Sequence, residues 1–395
     1  MSEPGIKTAV SFHNTQIAFE HRSNKDLKKA YWLFSAFKYP VLVNYGPKLA
    51  GVALSLKLPF KNLIKNTLFA QFCGGETIEE CEHTIKDLSS AGIGTILDYS
   101  VEGEEKEEVF EATCNEIIDT INKAKGNAGI PFTVFKVTGI GRFDLLEKVN
   151  KHKALNVNEE REYEKVKQRF ELICRTAHDS DVRVFVDAEE SWIQDTIDRL
   201  TMDMMKRYNT SKAIVYNTIQ LYRHDRYEYL KKTIAENTFF MGFKLVRGAY
   251  MEKERARAQA TGYRSPIQLT KEDTDRDYNK AMELCIQHLN KVSICAGTHN
   301  EESCTFLTEL IDKNNIDRND PRIYCSQLLG MSDHISYNLA NAGYNVAKYV
   351  PYGPVIAVLP YLSRRAKENS SVKGQVGREL GLITEELKRR KLSKD

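Results

Sequence analysis

Apolar residues along this chain follow two spacings. Short runs of continuous or alternating hydrophobic residues, each closing on a polar cluster, occupy residues 94–100 (GTILDYS), 131–137 (PFTVFKV), 183–190 (RVFVDAEE), 213–220 (AIVYNTIQ), 243–250 (FKLVRGAY), 292–300 (VSICAGTHN), 322–327 (RIYCSQ) and 345–352 (NVAKYVPY). Runs of this length, rich in β-branched and aromatic residues, predict strands. Between them lie stretches with apolar residues three and four apart, such as EECEHTIKDLSSAG after Gly75, SWIQDTIDRLTMDMMKRY after Glu190 and EESCTFLTELIDK after Asn300. These predict amphipathic helices. Strands alternating with helices place the chain in the α/β class, and eight of them predict a closed (β/α)8 TIM barrel, because parallel strands need crossovers and the eighth can close on the first. An open doubly wound sheet is the alternative, disfavoured because no GxGxxG follows the first strand.

One helical stripe departs from the pattern. In PYLSRRAKEN, Tyr361, Arg364, Arg365 and Glu368 stand at i, i+3, i+4 and i+7, the positions an apolar face would fill. Adjacent guanidiniums on an inward-facing turn grip a carboxylate or phosphate through charge-assisted forks, with Glu368 one turn on to orient them. A solvated charged face is the other reading of such a stripe. The apolar run KYVPYGPV just before it, which enters a Pro/Gly turn, favours the site.

Catalytic groups of such barrels collect where the strands end. The strand ends here offer Asp98, Lys136, Asp187, Asn217, Gln220, Arg247, Tyr250, Thr298, His299, Gln327 and Tyr349. Each has a structural alternative: Lys136 as a snorkelling lysine, Asp187 as a helix cap, His299 as a core histidine bonded to a carbonyl. Polar termini on so many strands together favour a site.

Composition narrows the classes. The 395 residues suffice for one domain of roughly 250 to 300 residues with appended segments. A formal charge of +3 is too small to indicate nucleic acid, and no zinc-ligand array is present. Eight cysteines without a CxxC pair read as buried free thiols of a reducing compartment. The opening residues make a poor signal or transit peptide. The apolar stretch 31–60 is interrupted by Lys38, Pro40, Lys48 and Lys57, too often for a membrane span.

The motifs KLVRGAY (244–250), DAEE (187–190), GTHN (297–300), QLLGM (327–331), YVPYGP (349–354) and PYLSRRAKEN (360–369), in this order, resemble the proline dehydrogenase family. The resemblance runs from about residue 70 to 371. It implies an N-terminal helical extension (1–69), a distorted (β/α)8 barrel (70–371) and a basic C-terminal helix or tail (372–395). The fuller segments KLVRGAYMEKERA and KYVPYGPV resemble the eukaryotic-type branch, and with no aldehyde dehydrogenase part the expectation is a monofunctional enzyme. The resemblance further implies FAD-dependent oxidation of L-proline to Δ1-pyrroline-5-carboxylate. Arg364, Arg365 and Lys136 match the family's grip on the proline carboxylate. Tyr250, Tyr349 and Tyr361 match the tyrosines around the ring, and Glu76 matches an acidic partner of the first arginine, with Asp98 in the same network. For FAD the matching positions are Asp187, Asn217, Lys244, Val246, Arg247, Gly248, Thr298, His299, Gln327 and Glu368. Lys244 stands where bacterial members carry arginine, and Asn217 where they carry glutamine. No metal is expected.

The family passes electrons to a membrane quinone, which implies peripheral membrane contact, with the stretch 31–65 and the tail LKRRKLSKD as candidates. The compartment expected is bacterial cytoplasm or the inner-membrane surface, or the mitochondrion if a leader has been removed. Three rivals stand beside this reading. A hydroxyproline dehydrogenase would carry a smaller residue at position 349. A Schiff-base aldolase would use Lys136 as nucleophile and leave the arginine pair unexplained. A non-enzymatic scaffold has no use for the clamp.

Overall fold

The computed structural model describes residues 10–39, 64–100, 105–371 and 375–392. Eight parallel strands close a barrel in sequence order: β1 (Ile93–Tyr99), β2 (Phe132–Phe135), β3 (Arg183–Val186), β4 (Val215–Gln220), β5 (Met241–Val246), β6 (Val292–Gly297), β7 (Ile323–Leu328) and β8 (Val346–Tyr352). The predicted (β/α)8 class is the one observed. Several strands stop short of the apolar-to-polar runs that signalled them: β3 ends before DAEE, β5 before RGAY and β6 before THN. Their polar ends leave the ladder and enter loops.

Residues Gly103–Ser326 form one compact unit, and Val10–Glu102 with Gln327–Asp395 form another. In the first, the interior of β2 to β7 is filled by rings. Phe132 stacks on Phe185 at 4.4 Å, and Tyr216 meets both edge-on at 5.5 and 5.4 Å. Glycine at 242 is required there, since a Cβ would lie 2.4 Å from the Tyr216 ring. Side chains alternate across each strand, so Tyr216 fixes the inward face of β4 as Tyr216, Thr218 and Gln220. The same alternation puts Lys136 on the inward side of β2 with Phe132. Residues 141–180, an insertion in sequence, are two helices, Phe143–Asn150 and Val157–Asp179. The second opens on a capping box between Asn156 and Glu159.

In the second unit, the N-terminal helix Asn24–Ala36, the arginine-bearing helix Val355–Ser371 and the C-terminal helix Gln375–Leu392 share one apolar core. It includes Leu27, Phe34, Phe72, Met331, Val358, Leu362, Leu380 and Ile383. Behind β8 lies a buried cation. The Lys348 ammonium donates to the carbonyls of Met331 (2.6 Å) and Leu328 (3.3 Å) and to Asp333 Oδ1 (2.9 Å), while Arg22 pairs with Asp333 Oδ2 at 2.8 Å. All eight cysteines are unpaired and buried, as the sequence predicts.

Candidate active site

In the first unit the strand ends carry a set of cations and hydrogen-bonding groups. Lys244 on β5 is buried, forms an ion pair with Asp187 just beyond β3, and lies 5.2 Å from the Phe185 ring centroid. Asp187 is held by its own N–H, which donates to the Phe135 carbonyl of β2 at 2.9 Å. Lys136 follows β2 and leads into the short 3₁₀ turn Val137–Gly139. Past Val246, the Arg247 guanidinium forks to Asp275 Oδ1 (2.6 Å), Thr298 Oγ1 (2.7 Å) and Ser303 Oγ (3.0 Å), with its carbon 4.5 Å from the Tyr278 ring centroid. Burial works to raise the Asp275 carboxyl, but Lys271 and Arg247 outweigh it and hold the group below its ordinary value.

Gly248 adopts φ +138°, and a Cβ there would sit 2.5 Å from the Tyr222 ring, so glycine is needed on both counts. Tyr250 caps the start of the helix Met251–Thr261. Thr298 is buried and His299 half-buried beyond β6.

Two assigned residues turn away from the strands' inward face. Asn217 lies on the outward face of β4, where its Nδ2 donates to Asp198 Oδ1 at 2.9 Å, beside the Arg226–Asp198 ion pair. Its amide serves the packing of the helix Ser191–Tyr208 rather than the barrel interior. The inward carboxamide of β4 is Gln220. Its Nε2 donates to the Glu189 carbonyl at 2.9 Å, and its buried Oε1 accepts no hydrogen bond from a described residue. The second, Gln327, accepts from Ser336 Oγ at 2.8 Å, toward the helix Asp333–Asn341. The period-two pattern of β4 puts Asn217 and Gln220 on opposite faces, and the ring packing of Tyr216 shows which face is inward; no sequence signal singled out Glu189 or Lys348.

In the second unit, Tyr361 and Arg365 are buried on the helix Val355–Ser371, at 5% and 8% exposure, with the Arg365 guanidinium 5.1 Å from the Tyr361 ring centroid. Arg364 beside them is half-buried. The side chain of Glu368 lies outside those described. Glu76 pairs with Lys65 at 2.9 Å and accepts the Val355 N–H at 3.4 Å, at the start of the same helix. Tyr349 is buried on β8, its carbonyl accepting from Leu329 N–H at 2.9 Å. Asp98 on β1 accepts from Ser100 Oγ at 2.7 Å.

A family model described as proline dehydrogenase matches residues 81–378. The chain belongs to the proline dehydrogenase family. It is 34% identical over 387 residues to proline dehydrogenase 1, mitochondrial, of Dictyostelium discoideum, with 85% of this chain and 67% of that one covered. It is 30% identical over 422 residues to hydroxyproline dehydrogenase of Xenopus laevis, with 97% and 90% covered. Among solved structures, proline utilization A from Bdellovibrio bacteriovorus inactivated by N-propargylglycine superposes with a TM-score of 0.71 at 18% identity. The match covers 93% of this chain and 40% of that one, so the chain spans two fifths of that protein's length. The barrel fold is thus common to both.

Proposed function

We propose that this chain oxidises L-proline to Δ1-pyrroline-5-carboxylate with FAD as its cofactor. The observation that carries the reading is Arg365, a guanidinium buried on a helix face beside Arg364 and Tyr361 in a member of this family. A buried cation of this kind is stabilised by an anion, and the planar fork suits a carboxylate. Arg364, Arg365 and Lys136 bind the substrate carboxylate. Tyr250, Tyr349 and Tyr361 wall the pyrrolidine ring and keep water from C5.

The residues present fit FAD. Gln220 offers a buried oxygen that accepts no hydrogen bond from a described residue, suited to an N–H of the isoalloxazine. Lys244, Arg247, Thr298 and His299 form a donor set for an anionic cofactor, Gly248 allows close backbone approach, and Asp187 and Val246 complete the lining. When bound, FAD supplies the two-electron acceptor for the hydrogen leaving C5. The chain's own part is to orient the ring, hold its carboxylate and exclude water. A membrane quinone as final acceptor belongs to the same reading. Among the described residues no helix is long and apolar enough to cross a membrane, and most of the stretch 31–65 proposed to touch a membrane lies outside them.

Hydroxyproline is the second reading, favoured by the Xenopus laevis relative. Tyr349 speaks against it, because its ring would crowd a ring hydroxyl. The test of the clamp is Arg365→Met. Loss of a charge-assisted contact to a buried carboxylate costs about 2 to 5 kcal/mol, so KM for L-proline rises steeply while flavin content stays near that of the parent. An unchanged KM would remove the clamp.

A further inference from the structure

Glu189 is a buried carboxyl that the chemistry above leaves unused, although it belongs to the DAEE segment whose Asp187 pairs with Lys244. It is 3% exposed. Both of its oxygens serve one residue: Oε1 accepts the Thr138 N–H at 3.1 Å and Oε2 accepts the Thr138 hydroxyl at 2.5 Å. Thr138 is the centre of the Val137–Gly139 turn, which closes when Gly139 N–H donates to the Lys136 carbonyl at 3.1 Å. Fixing Thr138 at two points therefore fixes the backbone from which Lys136 projects.

Glu189 is itself held. Its N–H donates to Gln194 Oε1 and its carbonyl accepts from Gln220 Nε2, both at 2.9 Å. Gln194 Nε2 passes on to Asp198 Oδ1 at 3.0 Å, and Asp198 is anchored by Arg226 at 2.7 Å. One hydrogen-bonded chain thus joins the ends of β2, β3 and β4 to a buried ion pair.

The choice of a carboxyl follows from Thr138, which presents two donors, its N–H and its hydroxyl, to the two oxygens of one side chain. A carboxamide, with one oxygen and one NH2, could not accept from both of these donors, which offsets the cost of burying a carboxyl. We propose that Glu189 is the positioning residue for Lys136, clamping the turn that carries it, so that the ammonium is held ready for the substrate carboxylate. This rests on the assignment of Lys136 to that carboxylate.

The test uses the flavin-loaded protein and cyclopentanecarboxylate, a ring carboxylate without the amine. Binding is read as the inhibition constant against L-proline and as the shift in Tm on adding the compound. In Glu189→Gln one of the two Thr138 donors loses its acceptor oxygen, so binding weakens by about tenfold or more, with kcat changed far less. Thr138→Val shifts binding in the same direction. In the Lys136→Met background, Glu189→Gln causes no further loss, because the two act as one unit. The proposal is overturned if Glu189→Gln and Thr138→Val both bind like the parent, or if Glu189→Gln weakens binding by the same factor with and without Lys136→Met. If Lys136→Met alone binds like the parent, the carboxylate role of Lys136 falls, and this inference with it. The single variant separates that failure from the others.

Discussion

Tyr349 is buried on the last strand, and a single ring there separates two substrates that differ by one hydroxyl. Tyr349→Ser opens room for that hydroxyl and leaves the arginines untouched, so the ratio of kcat/KM for trans-4-hydroxy-L-proline to that for L-proline rises, by about 10-fold to 200-fold if the ring sets the pocket size. An unchanged ratio would reject the role. Glu189 has a second signature at the same scale. Burial, opposed by the bonds from Thr138, pushes its carboxyl up from 4.5 to about 7. A group that holds its proton more tightly folded than unfolded adds stability below its unfolded value, and that contribution is lost as pH rises through the folded one. Glu189→Gln therefore gains stability relative to the parent between about pH 5 and pH 8. Urea midpoints at the two pH values check this, and an equal difference at both would contradict it. The candidate site was legible in part at this scale. Buried Arg365 and Tyr361 are side chains whose type and spacing announce chemistry, whereas Lys244 was reached only through the family resemblance. Asn217 was misplaced because a strand's two faces differ by one residue, and only the ring packing of Tyr216 reveals which face is inward.

The elements behind the strands are held by charge where apolar burial alone would be expected. Lys348 belongs to an apolar run, yet its ammonium reaches the carbonyl that ends β7, the Met331 carbonyl beyond it, and Asp333. Lys348→Met removes the buried ammonium from Asp333, which keeps its pair with Arg22, and from the Met331 carbonyl, while the Leu328 carbonyl still accepts the Met331 N–H at 3.2 Å. Removing one partner of a buried pair costs about 3 to 5 kcal/mol, so the urea midpoint falls with little change in slope. A midpoint equal to the parent's would show that this contact is replaceable. The eight strands were readable because a buried parallel strand is a continuous apolar run. The cation among them was not, since its partners lie 15 to 20 residues earlier in the chain.

At the scale of the whole molecule, eight alternating strand and helix signals were enough to give the barrel, because few other topologies accommodate them. The sharing of one core by the N-terminal helix Asn24–Ala36 and the C-terminal helix Gln375–Leu392 was not legible, since no local pattern records which distant faces meet. In the proposed reaction this barrel binds FAD and L-proline reduces it. The direct measurement is the absorbance spectrum of the FAD-loaded protein under anaerobic conditions before and after L-proline is added. Flavin bands that bleach with L-proline, and far less with trans-4-hydroxy-L-proline, are the expected result. Bound flavin that stays oxidised in L-proline, or a protein that binds no FAD when supplied with it, would contradict the account.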